Sequence, residues 1–258
     1  MQNSNPTALA FFAHPDDAEF LCAGTLARLH ARGHTIHFAT LTAGDGGSVE
    51  LPPAEIARLR LGEAAQAAAL LDGTHQWAGA QDLLICYDQP TLRRVIEIVR
   101  RVNPQLVFTH APQDYLPDHE VTSQLVRAAC FAACVPNVLT LAENAAPATA
   151  HLPHLYYSDA LEGKDSFGAP VPPAFYVDIS DVLETKARML ACHASQRAWL
   201  LRQHGVDQYL QAMRDWAAQR GIEAGVAYAE AFRQHLGHAY PQTNLLTEVL
   251  GTLPAKAQ

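Results

Sequence analysis

Short apolar runs alternate with longer stretches of helical pattern through the first half of the chain. Ala8-Leu9-Ala10-Phe11-Phe12 carries no charge, which is the pattern of a strand buried on both faces. Thr35–Thr42 and Leu106–Thr109 read as further strands, and Leu83–Tyr87 as a short one. Between them, Phe20–Arg32 predicts a helix closed by Gly33. Pro53–Leu71 predicts an Ala/Leu/Glu/Arg-rich helix that opens on prolines, as helix N-termini often do. Pro90–Val102 predicts another helix, and so does a segment from Pro117 or Asp118 to about Val135. Later in the chain, Leu155–Ser158 and Phe175–Asp178 read as strands, and Ser180–Gln203 and Val206–Gln219 as helices.

Strands alternating with helices predict an α/β fold: a Rossmann-like, mostly parallel, doubly wound sheet with right-handed crossovers. A C-terminal helical elaboration follows it. The Pro/Ala-rich stretch Asn144–Pro153 and the Gly/Pro-containing stretch Gly163–Pro173 read as loops rather than interdomain linkers. The expectation is one domain over residues 1–258, with a core from about 8 to 200 and a helical extension from about 204 to 258.

The 258 residues are 49% apolar, enough for a sizeable core, and the net charge is −8. No basic run or stripe is present, which argues against nucleic acid and anionic membrane surfaces as partners. The longest apolar stretch, Ala128–Ala142, is interrupted by Pro136-Asn137 and is too short to span a bilayer. No charged segment followed by an apolar one marks a signal peptide. The five cysteines, Cys22, Cys86, Cys130, Cys134 and Cys192, form no Cys-x-x-Cys and have mostly apolar neighbours. They read as reduced core thiols of a cytoplasmic protein.

The chemistry concentrates where two buried strands end. The first strand runs into Ala13-His14-Pro15-Asp16-Asp17-Ala18-Glu19. Ligands of open α/β sheets sit beyond the carboxyl ends of the strands, so polar groups there point to a site. His14 and Asp17 are close enough in sequence to share a metal ion, with Asp16 beside it. The strand Leu106–Thr109 runs into His110-Ala111-Pro112-Gln113-Asp114-Tyr115-Leu116-Pro117-Asp118-His119-Glu120. His14, Asp17 and His119 then form a two-His, one-carboxylate set, which leaves a position for water as catalytic zinc sites do. Nitrogen and oxygen donors fit iron or manganese as well. A water near such an ion is acidified toward about 7 and becomes a usable nucleophile.

Ala13-His14-Pro15-Asp16-Asp17-Ala18-Glu19 followed by Pro117-Asp118-His119-Glu120 resembles the PIG-L/LmbE-like deacetylase family. Thr42-Ala43-Gly44-Asp45, Arg60-Leu61-Gly62-Glu63 and His193-Ala194-Ser195-Gln196 extend the resemblance to Gln196, with a weaker echo at Ala229-Glu230-Ala231-Phe232. The resemblance implies a zinc-dependent enzyme that removes N-acyl groups, usually acetyl from amino sugars. It implies His14, Asp17 and His119 as ligands, Asp16 as general base, a small N-acylated substrate, and assembly into homo-oligomers. The family commonly reads Asp-x-His-Pro-Asp-His, whereas this chain reads Asp114-Tyr115-Leu116-Pro117-Asp118-His119. Leu116 stands where a histidine is expected to stabilise the oxyanion or protonate the leaving amine, and leucine does neither. His110 and His193 are the candidate substitutes. Asp118, which would orient the missing histidine, is kept as a catalytic candidate. Arg60, Asp45 and Leu116 are candidate substrate contacts.

Plainer readings stand beside these. One of the two aspartates could cap a helix. His119 could be a surface histidine of a first turn, His110 a core histidine at a strand end, and His193 a solvent-facing helical residue. Asp45 could cap the glycine-rich turn, and Arg60 with Glu63 could be a solvated pair at i,i+3. Gly44-Asp45-Gly46-Gly47 suggests a phosphate cradle only superficially, because no Gly-x-Gly-x-x-Gly opens a helix there. The alternatives to a deacetylase are a metal-binding protein with weak or lost turnover and a metal-assisted esterase.

Overall fold

The computed structural model describes residues 5–204 and 208–255. In chain order the elements are β1 (Thr7–Phe12), α1 (Asp17–Leu21), α2 (Ala23–Ala31), β2 (Thr35–Thr42), α3 (Pro53–Ala69) and β3 (Thr74–Ala80). Then come α4 (Gln89–Val102), β4 (Leu106–Thr109), α5 (Pro117–Ala133), β5 (His154–Ser158) and β6 (Phe175–Asp178). The chain continues through α6 (Leu183–Ala191), α7 (Ala194–His204), α8 (Tyr209–Ala224), β7 (Ala229–Gln234), α9 (Leu245–Leu250) and β8 (Leu253–Pro254).

Among the described residues, eight strands form one sheet in the order β3-β2-β1-β4-β5-β7-β6-β8. The pairs from β3 to β5 are parallel, and β7 joins β5 and β6 antiparallel. The expected α/β sheet with helices on both faces is what forms. Alternation along β1 explains the two faces. Ala8, Ala10 and Phe12 pack toward α2 and α6, while Leu9 and Phe11 pack toward α4 and α5. Strand order reverses between β1 and β4, so the crevice of a doubly wound sheet opens beyond their carboxyl ends. His14 and His110 follow those two strands.

Three differences from the sequence reading have physical causes. The expected strand Leu83–Tyr87 is a loop, with Leu83 at φ 61° and both Leu83 and Leu84 well exposed. The strand at that place is β3, Thr-His-Gln-Trp-Ala-Gly-Ala, an edge strand whose polar sequence hides it from a search for apolar runs. The expected helix Phe20–Arg32 is two helices that meet at Cys22. There Gly24 and Thr25 donate their N–H groups to the Glu230 carboxylate, which caps α2 from another strand. The expected helix Ser180–Gln203 is broken between Ala191 and Ala194, where Glu63 accepts the Ser195 N–H at 2.9 Å.

The C-terminal segment supplies α8 and α9, but it also returns β7 and β8 to the sheet. The expected start of the last helix at Val206 lies outside the described residues. Both expected loops are loops. The five cysteines are free thiols, with Cys22 and Cys130 buried. Among the described residues no helix is long and apolar enough to cross a membrane.

Candidate active site

The β1 turn is held from both sides. Thr42 at the end of β2 donates its N–H and Oγ1 hydroxyl to the Ala13 carbonyl at 2.9 and 3.0 Å. The Ala13 N–H donates to His110 Nε2 at 3.0 Å. Asp16 then adopts φ 102°, a left-handed conformation uncommon outside glycine and tolerated best by Asn and Asp. This turn aims Asp16 and Asp17 to the same side as His14. Asp17 Oδ2 accepts the His14 N–H at 2.7 Å.

His14, Asp17 and His119 converge. His14 Nδ1 lies 3.3 Å from Asp17 Oδ2, and His119 Nε2 lies 3.6 Å from Asp17 Oδ1. One ligand atom from each falls within 4.8 Å of the others. His119 is presented by the first turn of α5, and its Nδ1 is 3.0 Å from Asp114 Oδ1. That bond fixes the tautomer and leaves Nε2 free to face Asp17, the arrangement that orients metal-binding histidines. Asp114 is itself fixed by the Leu161 N–H at 3.1 Å. Burial pushes the Asp17 carboxyl up, but His119, His110 and His14 outweigh it and hold the group well below the usual carboxylate range. Around His14 the balance runs the other way. Burial lowers the imidazole, but Asp17, Asp118 and Asp82 outweigh it and pull the ring toward its charged form. A field that draws a proton onto His14 also favours a cation, and two imidazoles with a carboxylate are a donor set for a divalent ion. The residues present fit a metal.

Asp16 faces the cavity without joining this trio. Its Oδ2 accepts the Tyr209 hydroxyl at 2.6 Å and lies 3.5 Å from Arg60 Nη2. Burial raises the Asp16 carboxyl, and Arg60 acts against that rise. Arg60 also donates to the Pro15 and Gly44 carbonyls at 2.8 and 3.3 Å. The glycine-rich loop wraps its guanidinium: Gly44 has φ +67°, and a Cβ there would stand 2.4 Å from Arg60. Arg60 and Glu63 are therefore buried and separately employed, not the solvated pair of the plainer reading.

The structure relocates four candidates. His110 is fully buried beneath His119, stacked on it at 3.8 Å, and burial pushes its imidazole down to about 4. His193 is fully buried at the start of α7, 3.5 Å from Glu19. Neither lines the cavity, so neither is placed to substitute for the histidine missing at Leu116. Asp118 sits behind His14, with Oδ2 3.2 Å from Nε2 and accepting the Leu83 N–H at 2.8 Å. Asp45 accepts the Asp82 N–H at 2.9 Å and does not line the cavity.

Asp82 and Tyr209 are site residues that sequence reading missed. Asp82 Oδ1 lies 2.9 Å from His14 Nε2. It follows β3, and recognising that strand would have exposed a third polar strand end at the same edge. Tyr209 arrives from α8 and carries no local signal. The cavity has a volume of about 710 Å³. His14, Asp16, Asp17, Asp82, His119 and Leu116 are among the residues that line it.

Fold and pocket define a Rossmann-like α/β protein with a His- and Asp-rich cavity at the switch point of its sheet. Residues 9–130 match the family described as "PIG-L: GlcNAc-PI de-N-acetylase". It is 27% identical over 235 residues to 4-oxalmesaconate hydratase of Pseudomonas putida, covering 87% of this chain and 83% of that protein. It is 27% identical over 248 residues to diacetylchitobiose deacetylase of Thermococcus kodakarensis, covering 90% and 84%. In fold it matches the N,N'-diacetylchitobiose deacetylase of Pyrococcus horikoshii, with a TM-score of 0.75 at 24% identity over 94% of this chain and 89% of that one.

Proposed function

We propose that the protein is a metal-dependent hydrolase that removes an N-acyl group, acetyl first among them, from a small amine. The observation that carries this reading is the convergence of His14, Asp17 and His119 at one cavity, with Asp16 also lining it but free of the trio. A divalent ion held by His14, Asp17 and His119 would supply Lewis acidity, polarising the amide carbonyl and acidifying a water. Zinc suits these donors, and iron or manganese fit them as well. Asp16 takes the proton of the attacking water. Tyr209 and Arg60 hold its carboxylate in place for that transfer. Asp114 keeps His119 Nε2 turned toward Asp17. Leu116 cannot donate, so Asp16 returns the proton to the departing amine.

The match of residues 9–130 to a de-N-acetylase family supports amide hydrolysis, and so do the names of the deacetylase relatives. The hydratase relative acts, by its name, on a carboxylated acid. Among the described lining residues the one Lys or Arg is Arg60, already committed to two carbonyls and Asp16. That lining favours a substrate without carboxylates. The free thiols support a reducing, cytoplasmic location, and assembly into homo-oligomers is part of the family reading.

Incubation of the purified protein with N-acetylated amines and with matched acetate esters tests the reading. Equal amounts of amine and acetate are expected, lost on chelation and restored by zinc. Metal-loaded protein that cleaves only esters, or nothing, would overturn it.

A further inference from the structure

The apolar part of the cavity lining has a different chemistry from the metal-ligand trio. Phe20 and Leu21 come from α1, Leu116 precedes α5, Leu161 follows β5, Leu200 comes from α7 and Trp216 from α8. These side chains belong to separate elements that the fold brings together, so the apolar surface is not a by-product of one amphipathic helix.

Part of the polar lining is already engaged, while Tyr115, Gln196 and Gln208 also line the cavity. Arg60 has its guanidinium bound to the Pro15 and Gly44 carbonyls and to Asp16. The Tyr209 hydroxyl is spent on Asp16 at 2.6 Å. The lining carboxylates are Asp16, Asp17, Asp82 and Glu162. A phosphate or carboxylate on the substrate would meet carboxylates and no uncommitted Lys or Arg among the described lining residues. A sugar ring would find Tyr115, Gln196 and Gln208 for a few of its hydroxyls, and any hydroxyl buried against leucine or tryptophan without a partner is costly. An apolar body gains from the same contact.

We propose that the substrate is the N-acyl derivative of a neutral or cationic amine with a predominantly apolar, aliphatic or aromatic body, and that Leu116 is a residue selecting it. This rests on amide hydrolysis as proposed above, and it parts from the amino-sugar substrates named for the relatives. Leu116 puts apolar surface into the cavity where the resembled family pattern carries a histidine. The substitution exchanges help to a leaving group for contact with a less polar one.

The test combines binding and turnover on the full-length, metal-loaded protein. Calorimetry compares phenethylamine with glucosamine, and hydrolysis compares N-acetylphenethylamine with N-acetylglucosamine. Phenethylamine is expected to bind at least about 10-fold more tightly, and its acetamide to show a kcat/KM higher by a similar factor, the scale on which apolar pockets discriminate. Leu116→Asn is expected to reduce both ratios several-fold. Asn suits the N-cap position that Leu116 holds, and Leu200→Asn serves as a second variant in the same apolar lining. Equal or tighter binding of glucosamine would overturn the inference and leave amide hydrolysis standing. Tight, Leu116-dependent binding of phenethylamine with no amide cleaved would uphold the cavity's preference and overturn the hydrolase reading.

Discussion

Two buried clusters of charge sit in this fold, and they are built differently. In one, Glu230 of β7 meets Lys186 of α6 at 2.6 Å, and the two carboxylate oxygens also accept the Gly24 and Thr25 N–H groups at 2.9 and 2.7 Å. Charge cancels, each oxygen has a donor, and both side chains are almost fully buried. In the other, Asp17, Asp82 and Asp118 crowd one imidazole, with Asp16 alongside and a cavity in front. The first cluster is complete within the protein and joins β7 to the start of α2. The second has surplus negative charge directed at open space. A satisfied ionic network reads as structure, whereas a crowded carboxylate and histidine set facing a cavity reads as a site.

The contrast is broken most sharply at Asp16. Asp16→Asn is expected to keep the fold, because Asn tolerates the left-handed backbone at that position. It is expected to lower kcat by about 10²–10⁴-fold, the range for acid–base groups. Steady-state kinetics on metal-replete protein measures this, and near-normal kcat would remove Asp16 from the role of base.

The opposite signature is expected at the other cluster. Lys186→Met leaves Glu230 buried without its counter-charge, at a cost of about 3–5 kcal/mol of stability. Urea unfolding measures the loss, while kcat of the folded fraction stays within about two-fold of the parent, since rate effects require a change in transition-state contacts. Unchanged stability would mean that the α2 N–H groups suffice to hold Glu230 charged.

The same contrast explains what the sequence could disclose. His14, Asp16 and Asp17 lie on one short turn after an apolar strand, and His119 follows a second such strand. Contiguous pattern was enough to put them at one sheet edge. Asp82 and Tyr209 reach His14 and Asp16 only through tertiary approach, from an edge strand with no apolar run and from a helix far along the chain. Helix breaks were hidden for a related reason. Glu230 and Glu63 cap α2 and α7 from more than a hundred residues away, and no local propensity encodes that. The apolar part of the cavity lining was legible only at Leu116, as a departure from the family pattern, because its other members come from elements that meet only in the folded chain.

Metal content tests the central claim most directly. Purified protein analysed for bound metal is expected to carry one divalent ion per chain. Asp16→Asn is expected to retain that ion, and the folded His14→Ala/His119→Ala variant to lack it. Full occupancy in the folded double variant would contradict the assignment of His14, Asp17 and His119 as the metal site.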